Sequence, residues 1–362
     1  MHKLLQEILG NDKFRDVAKK FCTNGEFLLY GLAGSQKTFI AAAAYALKPR
    51  QFIIITNDSD KFPVWQNDFA ELLPDVEVVE LPELDLINVN ASTIGVERQS
   101  KRLEILSRLL RGDNFIVLAS TAAAVKKDFS RQDFLKFQLR ISTGDKIQRG
   151  KFISQLVDFG YEHSYDIDAI GKFSVHGGIV DIFPINAQTP YRIEFFGDNV
   201  ESIRYINFDT LRSGRKTPII TIFPIKIAAK TSEPFMTCAS DNSTIIFDEP
   251  ARIYESIQNL IREDADIKKN IFSFDQLLKN SRENSLIHFE LMMKNIRGIN
   301  PAESIGITAA NVTSFQAQTK FFIDEMRRLQ ELNQKIFILF NSQEKLNGIM
   351  KLLYENHLTG II

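Results

Sequence analysis

The stretch Gly171–Arg215 decides the fold of this chain, and it reads GKFSVHGGIVDIFPINAQTPYRIEFFGDNVESIRYINFDTLRSGR. Runs of β-branched and aromatic residues that end at Gly, Pro, Asn or Asp predict strands. On this pattern we predict three strands, over Phe173–Phe183, Tyr191–Phe196 and Val200–Tyr205. The segment Gly197-Asp198-Asn199 supplies the turn between the last two strands, which predicts a hairpin.

The second predicted strand has a core face and an outer face, because side chains alternate along a strand. The residues predicted for the core face are Tyr191, Ile193 and Phe195. The residues predicted for the outer face are Arg192, Glu194 and Phe196. We also expect Ile179 and Phe183 in the core. An aromatic ring beside an arginine on an outer face has the composition of a binding hot spot. A structural interpretation stays open, in which Phe196 packs under a loop and Arg192 pairs with Glu194.

The motifs GKFSVHGGIVDIFP, YRIEFFGDNVESIR and FDTLR resemble domain 2 of the excision-repair protein UvrB. They are more similar still to the UvrB-like amino-terminal module of the bacterial transcription-repair coupling factors (Mfd). Weaker matches extend the resemblance over nearly the whole chain. The resemblance implies that this domain docks onto UvrA through Arg192 and Phe196, and through His176, where the family usually has arginine. We include Glu194, which shares their predicted face.

The segment Leu81–Glu97 favours the coupling factors over UvrB itself. UvrB carries a Tyr-rich insertion there that forms a DNA-clamping hairpin, whereas this segment is short and lacks tyrosine. Coupling factors continue with a domain that binds RNA polymerase and with an ATP-driven translocase on double-stranded DNA. The resemblance therefore implies that the chain is an amino-terminal segment, and that ATP and Mg²⁺ serve the motor of the parent protein.

Composition places the chain among ordinary globular proteins. It has 362 residues, 44% of them hydrophobic and 25% charged, with a formal net charge of −1, so no global positive field draws it to nucleic acid. Cys22 and Cys238 lie far apart, which argues against a disulfide framework and suits a reducing cytoplasm. No apolar run approaches the roughly 20 residues of a membrane span. We therefore expect a cytoplasmic protein without membrane contacts.

The segment GLAGSQKT, Gly31–Thr38, nearly matches the phosphate-binding P-loop pattern GxxxxGK[ST]. A predicted strand, Phe27–Tyr30, precedes it, and a helix-prone run follows, as in a βαβ unit. Lys37 and Thr38 occupy the expected positions after Gly31 and Gly34, but Gln36 stands where the second glycine belongs. That glycine lets backbone N–H groups approach phosphate without a Cβ in the way. We interpret the loop as P-loop-derived, with most or all nucleotide binding lost.

Asp248 and Glu249 follow an apolar strand, as in a Walker B motif that holds Mg²⁺. Acidic residues before a proline are also ordinary at the start of a helix, here at Pro250, so both interpretations stay open. We find no second lobe with an arginine for the same cleft. The five histidines are scattered, and none has metal-ligand spacing. We therefore predict no catalytic residue, no metal site and no cofactor for this segment.

The predicted organisation has four parts. Residues 1–135 form a degenerate RecA-like domain 1a, 136–229 the UvrA-binding domain 2, 230–342 a domain 1b that packs with 1a, and 343–362 a helix leading to the rest of the parent.

Local patterns predict a helix over Arg98–Arg111 and strands over Phe134–Ile141 and Lys335–Asn341. The segment Ser285–Met293 fits no pattern.

The predicted fold class is α/β, a RecA-like, P-loop-derived parallel sheet with a smaller inserted α+β domain, in the UvrB-like arrangement 1a/2/1b. The implied function is recruitment of UvrA to RNA polymerase stalled at a DNA lesion, while the parent releases the polymerase by translocation. The alternatives are an ATP-dependent, helicase-like damage-recognition protein of the UvrB type and a nucleotide-binding regulatory domain without hydrolysis.

Overall fold

The structure, a computed structural model, describes all residues except 1–2, 85–92, 137, 208–209, 211, 226–231, 309–314, 316–317, 339, 341 and 359–362. The chain forms two compact units, Met1–Ile307 and Thr308–Ile362. Over the described residues the strands are β1 Gly25–Tyr30, β2 Phe52–Thr56, β3 Val78–Glu80, β4 Ile116–Ser120, β5 Asp128–Phe129, β6 Leu139–Ser142, β7 Glu162–His163, β8 Lys172–His176, β9 Ile179–Ile182, β10 Tyr191–Phe196, β11 Asn199–Ile206, β12 Ser213–Lys216, β13 Ile219–Ile222, β14 Ser232–Glu233, β15 Thr244–Asp248, β16 Ser285–Glu290 and β17 Glu303–Gly306.

The α-helices over the same residues are α1 Lys3–Gly10, α2 Asp12–Lys20, α3 Ser35–Leu47, α4 Phe62–Leu72, α5 Thr93–Arg111, α6 Thr121–Val125, α7 Arg131–Lys136, α8 Arg149–Asp158, α9 Pro250–Glu263, α10 Phe274–Ser281, α11 Thr319–Glu331 and α12 Gln343–Glu355. Within this part of the chain no helix is long and apolar enough to cross a membrane.

A seven-stranded parallel sheet forms the centre of the larger unit, in the order β17-β1-β16-β15-β2-β4-β3. Its central strands are apolar along their length, as in β2 (FIIIT), because helices cover both faces of the sheet. Phe52 and Ile54 pack in one core with α3 and α4, whereas Ile53 and Ile55 pack in a second core with α5, α9 and α10.

A six-stranded sheet, in the order β12-β11-β10-β9-β8-β7, is inserted in the chain between β4 and β15 of the parallel sheet. Its pairs are antiparallel except β7 with β8. Helix α8 covers one face, where the ring of Phe152 lies 5.8 Å from that of Phe195. The opposite face carries the side chains of Arg192 and Glu194, and we call it the outer face. The predicted fold class is confirmed, while the four domain bounds stay predictions.

The predicted first strand, Phe173–Phe183, is wrong, because this segment is a hairpin of β8 and β9. Gly177 turns the chain with a φ of 60°, a conformation that L side chains rarely adopt. At Gly178 a Cβ would lie 2.7 Å from the carbonyl oxygen of Phe195. The two glycines therefore permit a tight turn that the continuous β-branched pattern concealed.

Three further predictions differ from the structure. Residues 131–136 form α7 and β6 begins at Leu139, so the predicted strand Phe134–Ile141 is correct only at its end. Residues 335–338 and 340 of the predicted last strand form no strand. The unassigned segment Ser285–Met293 contains β16, a fully buried strand between β1 and β15. Residues 85–92 of the segment predicted to differ from UvrB, Leu81–Glu97, lie outside the described residues.

The smaller unit contains α11 and α12. Ile323, Met326 and Leu358 form its buried apolar cluster, with half-buried side chains such as Phe322 and Leu352 against them.

Candidate functional site

Arg192 lies on the outer face of the six-stranded sheet, in β10. Its cross-strand neighbours are Asp181 in β9 and Arg204 in β11. Its Nε and Nη2 atoms donate to the two carboxylate oxygens of Asp181 at 2.8 and 2.7 Å, and Nη1 donates to the Ser213 hydroxyl at 3.1 Å. The hydrogen bonds to Asp181 raise the pKa of Arg192, against the effect of partial burial. The guanidinium is therefore held in one orientation before any partner arrives.

Glu194 is not the ion-pair partner of Arg192, so the open interpretation that joined them is wrong. The Glu194 carboxylate accepts a hydrogen bond from the Ser202 hydroxyl, and its Oε2 atom lies 3.8 Å from Nε of Arg204. Asp181, which sequence reasoning missed, takes the place expected for Glu194. The register explains this, because Asp181 lies directly opposite Arg192 in the neighbouring strand, whereas Glu194 lies two residues further along the same strand.

Phe196 stands at the end of β10 with 76% of its surface exposed, so the interpretation that buried it under a loop is wrong. Its neighbour Phe195 is 8% exposed and packs in the core, as predicted, together with Ile193 and Phe183. Tyr191, predicted for the same face, is half-buried. An exposed aromatic ring on the same strand as a positioned guanidinium can desolvate against a partner surface.

Ile179, predicted to be in the core, is instead half-buried on the outer face. It lies opposite His176 and Glu194, while Val180 lies opposite Val175 and Ile193 on the core face. The prediction is wrong because the turn at residues 177–178 changes which alternate residues of β9 point inward.

His176 ends β8 and is exposed. Its Nε2 atom donates to the carbonyl oxygen of Tyr165 at 3.2 Å, and the two rings meet edge to face with centroids 5.5 Å apart. Ile179 separates it from Glu194 in the same cross-strand row. The structure therefore brings His176, Arg192, Glu194 and Phe196 onto one side of three neighbouring strands, and it adds Tyr165 at the margin.

The P-loop-like turn Gly31–Thr38 lies at the carboxyl end of β1, where α3 begins. Gln36 folds back on it, because its side-chain Oε1 accepts a hydrogen bond from the Ala33 N–H at 3.0 Å. Gly31 has a φ of 92°, and a Cβ there would lie 2.2 Å from the carbonyl oxygen of Ile307. Gly34, with a φ of 52°, has open space around it. The N–H of Ala33, which could otherwise face an anion, is therefore already hydrogen-bonded to Gln36 within the loop.

Lys37 is 5% exposed and points to the end of β15. Its Nζ atom donates to Asp248 Oδ1 at 2.5 Å and to Glu249 Oε1 at 3.1 Å. Lys61 and Arg252, which the sequence did not single out, add contacts to Glu249 Oε2 at 3.1 and 2.9 Å. The structure therefore brings the two predicted halves of the site together as one ion-pair network.

The network shifts the pKa values of Lys37 and Glu249. Burial by itself lowers the pKa of Lys37, but Asp248 and Glu249 raise it, and the result is above the ordinary value. Burial raises the pKa of Glu249, but Lys37 and Lys61 lower it below the ordinary value. Both groups are therefore held charged and engaged with each other at neutral pH. Glu249 also directly precedes α9, whose first residue is Pro250. The interpretation of Glu249 as a residue at the start of a helix is therefore also correct.

Comparison with known proteins distinguishes the outer face of the six-stranded sheet from the P-loop-like turn and its ion-pair network. The family model of the UvrB interaction domain matches residues 139–227. Residues 139–227 are therefore similar to a UvrB interaction domain. The transcription-repair-coupling factor of Bacillus subtilis is 25% identical to this chain, covering 91% of it and 34% of its own length. The coupling factor of Staphylococcus aureus is 24% identical, and the match covers 91% of this chain and 27% of the length of that protein. The coupling factor of Staphylococcus haemolyticus is 26% identical, and the match covers 73% of this chain and 22% of the length of that protein.

The resemblance to a UvrB-like module of coupling factors is thus confirmed. The UvrB interaction domain contains the complete six-stranded sheet with its outer face, whereas the P-loop-like turn and the Asp248-Glu249 pair lie outside it. The chain spans about a third or less of the length of the coupling factors it matches.

Proposed function

We propose that this chain is the UvrA-recruiting module of a transcription-repair coupling factor, and that it links RNA polymerase stalled at a DNA lesion to nucleotide excision repair. One observation carries the proposal: the outer face of the region matched by the UvrB interaction domain presents Phe196, 76% exposed, on the same strand as the positioned guanidinium of Arg192. The names of the relatives support a place in transcription-coupled repair.

The outer face has suitable chemistry for a protein partner. Phe196 offers apolar area at little entropic cost, since an aromatic side chain has few rotamers to lose. Asp181 accepts hydrogen bonds from Nε and Nη2 of Arg192, and Ser213 accepts one from Nη1, so one N–H on each Nη atom is left for a partner. A partner carboxylate therefore meets a guanidinium that is already oriented, which reduces the entropy lost on binding.

The parent protein, in this proposal, binds RNA polymerase through another domain and releases it by ATP-driven translocation on double-stranded DNA in the cytoplasm. ATP and Mg²⁺ belong to that motor, and this segment acts as a recruiting module without turnover of its own. The hydrogen bond between Gln36 and Ala33 and the engagement of Lys37 by two carboxylates support this division of labour.

A second candidate is an ATP-dependent, UvrB-type damage-recognition enzyme. The hydroxyl of Thr38 favours it, since this group is buried at the Mg²⁺-binding position of the P-loop pattern and has no hydrogen-bond partner in the structure. Against it stands Gln36, which occupies the glycine position and closes the loop upon itself.

Titration of the chain against UvrA from the same organism tests the proposal. We expect wild-type binding, and a loss of roughly 2 kcal/mol or more for Arg192→Ala and for Phe196→Ala, the scale of interface hot spots. Tyr354→Ala is the matched control, because Tyr354 is 83% exposed and lies in the other unit, outside the UvrB interaction domain. Full-strength binding by a folded Arg192→Ala/Phe196→Ala double variant contradicts the assignment of this face.

A further inference from the structure

Three cations lie side by side across the outer face. Arg204 in β11 is directly opposite Arg192 in β10 on one side and Lys216 in β12 on the other. We call these three residues the cationic row. Like charges directly opposite each other destabilise a sheet, so the row opposes folding rather than supporting it. An arrangement with that cost is a candidate for a binding function.

Carboxylates lie close to Arg192 and, at a longer distance, to Arg204, but none pairs with Lys216 over the described residues. Both carboxylate oxygens of Asp181 accept hydrogen bonds from Arg192. Glu194 lies 3.8 Å from Arg204, while its hydrogen bond goes to Ser202. Lys216 is exposed on the edge strand β12, and over the described residues it forms no ion pair. Positive charge therefore grows from Arg192 towards the edge of the sheet.

We propose that the cationic row binds an acidic strip on UvrA, so that the docking face extends from Phe196 across Arg204 to Lys216. This inference rests on the proposed function and adds two contact residues to it. Charge complementarity identifies the partner surface as acidic. A protein surface fits better than nucleic acid, because Phe196 offers apolar area on the same side and Glu194 would repel phosphates.

The test measures UvrA affinity for Arg204→Gln, Lys216→Gln and Lys216→Glu at two salt concentrations. Each neutral variant should bind roughly two- to five-fold more weakly, the upper part of the range for an exposed ion pair, and Lys216→Glu about tenfold more weakly. These losses should shrink at high salt, which screens exposed charges. Lys151→Gln is the matched control, since Lys151 is exposed on α8, the helix that covers the core face. Thermal melting of each variant confirms folding.

The outcomes separate this inference from the proposed function. Absence of wild-type binding to UvrA overturns both. If Phe196→Ala weakens binding while an Arg204→Gln/Lys216→Gln double variant binds as tightly as Lys151→Gln, only the cationic row is overturned. The same holds if the double variant keeps UvrA binding but loses affinity for a DNA duplex in an anisotropy titration, since the row is then a nucleic-acid site. Salt-dependent weakening confined to the row supports the inference.

Discussion

At the scale of single residues, neighbours in the sequence have opposite roles. Phe195 is 8% exposed and packs on α8, whereas Phe196 is 76% exposed at the end of the same strand. Arg192 belongs to the outer set with Phe196, but Asp181 on the next strand fixes its orientation. Burial and cross-strand pairing, rather than residue type, decide which of these side chains stabilise the fold and which remain for a partner.

This difference predicts unequal losses of stability. Phe195→Ala should lower the free energy of unfolding by roughly 3–5 kcal/mol, the usual cost of removing a buried phenyl ring. Phe196→Ala should change it by about 0.5 kcal/mol or less, because its ring contacts mostly water. Urea denaturation measures both values. Equal losses for the two variants would contradict the assignment of faces.

His176 is the second residue with a specific expectation. The resembling family usually has arginine here, and imidazole lacks the planar fork that pairs with a carboxylate in two places. We expect His176→Arg to strengthen UvrA binding, or to leave it unchanged if the surface of UvrA in this organism has adapted to histidine. Calorimetric titration against that UvrA measures the effect. A matched change at His163, which is exposed on β7, should not strengthen binding, and a gain there would indicate a non-specific charge effect.

At the scale of elements, the loop between β1 and α3 retains the frame of a nucleotide site with different chemistry inside it. The strand before it, the helix after it and the acidic pair at the end of β15 all lie where the P-loop pattern requires them. Gln36 and the ion pairs of Lys37 use groups that a triphosphate would need. A nucleotide therefore has to displace existing interactions in order to bind.

We expect no ATP hydrolysis above background by this chain, and no calorimetric binding of Mg-ATP at physiological concentration. Gln36→Gly alone should not create turnover, because removing one side chain does not supply a second lobe with an arginine. A micromolar affinity for ATP that disappears in Lys37→Ala would contradict this expectation and favour the UvrB-type enzyme.

At the scale of the whole molecule, the parallel sheet buries a histidine that contacts a half-buried glutamate. His288 in β16 is fully buried, and its Nε2 atom lies 2.9 Å from Glu26 Oε1. Burial lowers the pKa of His288 below its ordinary value of 6.5, although Glu26 and Glu290 act in the opposite direction. In the unfolded chain the same imidazole takes up a proton as the pH falls through 6.5.

The unfolded state thus binds more protons in this range, so His288 supports stability above pH 6.5 and loses that support as the pH falls towards its folded pKa. We expect the free energy of unfolding to fall between pH 7 and pH 5.5, by at most about 1.4 kcal/mol per pH unit from this one site. Fluorescence of Trp65, which is buried in the larger unit, reports the transition.

His288→Gln should flatten this pH dependence even if it lowers stability at every pH. His163→Gln is the control, since His163 is exposed, and it should leave the slope unchanged. An unchanged slope in His288→Gln would show that another group controls acid sensitivity.

Much of this architecture follows from the sequence alone. The strand Phe27–Tyr30, the P-loop-like turn and the helix-prone run after it indicated a βαβ unit, which the structure contains as β1, α3 and β2. The motifs in Gly171–Arg215 indicated the UvrB-like domain, because turn glycines and alternating apolar residues are local requirements that the sequence must carry. The same alternation placed Phe195 in the core and Phe196 on the outer face, whereas the exposure of Phe196 was visible only in the structure.

Other features were decided only by tertiary structure. Which carboxylate holds Arg192 depends on the register of β9 against β10, and a turn at Gly177-Gly178 within an apparently continuous strand set that register. β16 escaped prediction because His288 and Glu290 read as polar until Glu26 and the Ala251 N–H supply their partners across the fold. The pairing of Lys61 and Lys37 with Glu249 was also missed. These residues are far apart in the sequence and meet only because of where the folded sheet places them, which local sequence patterns do not indicate.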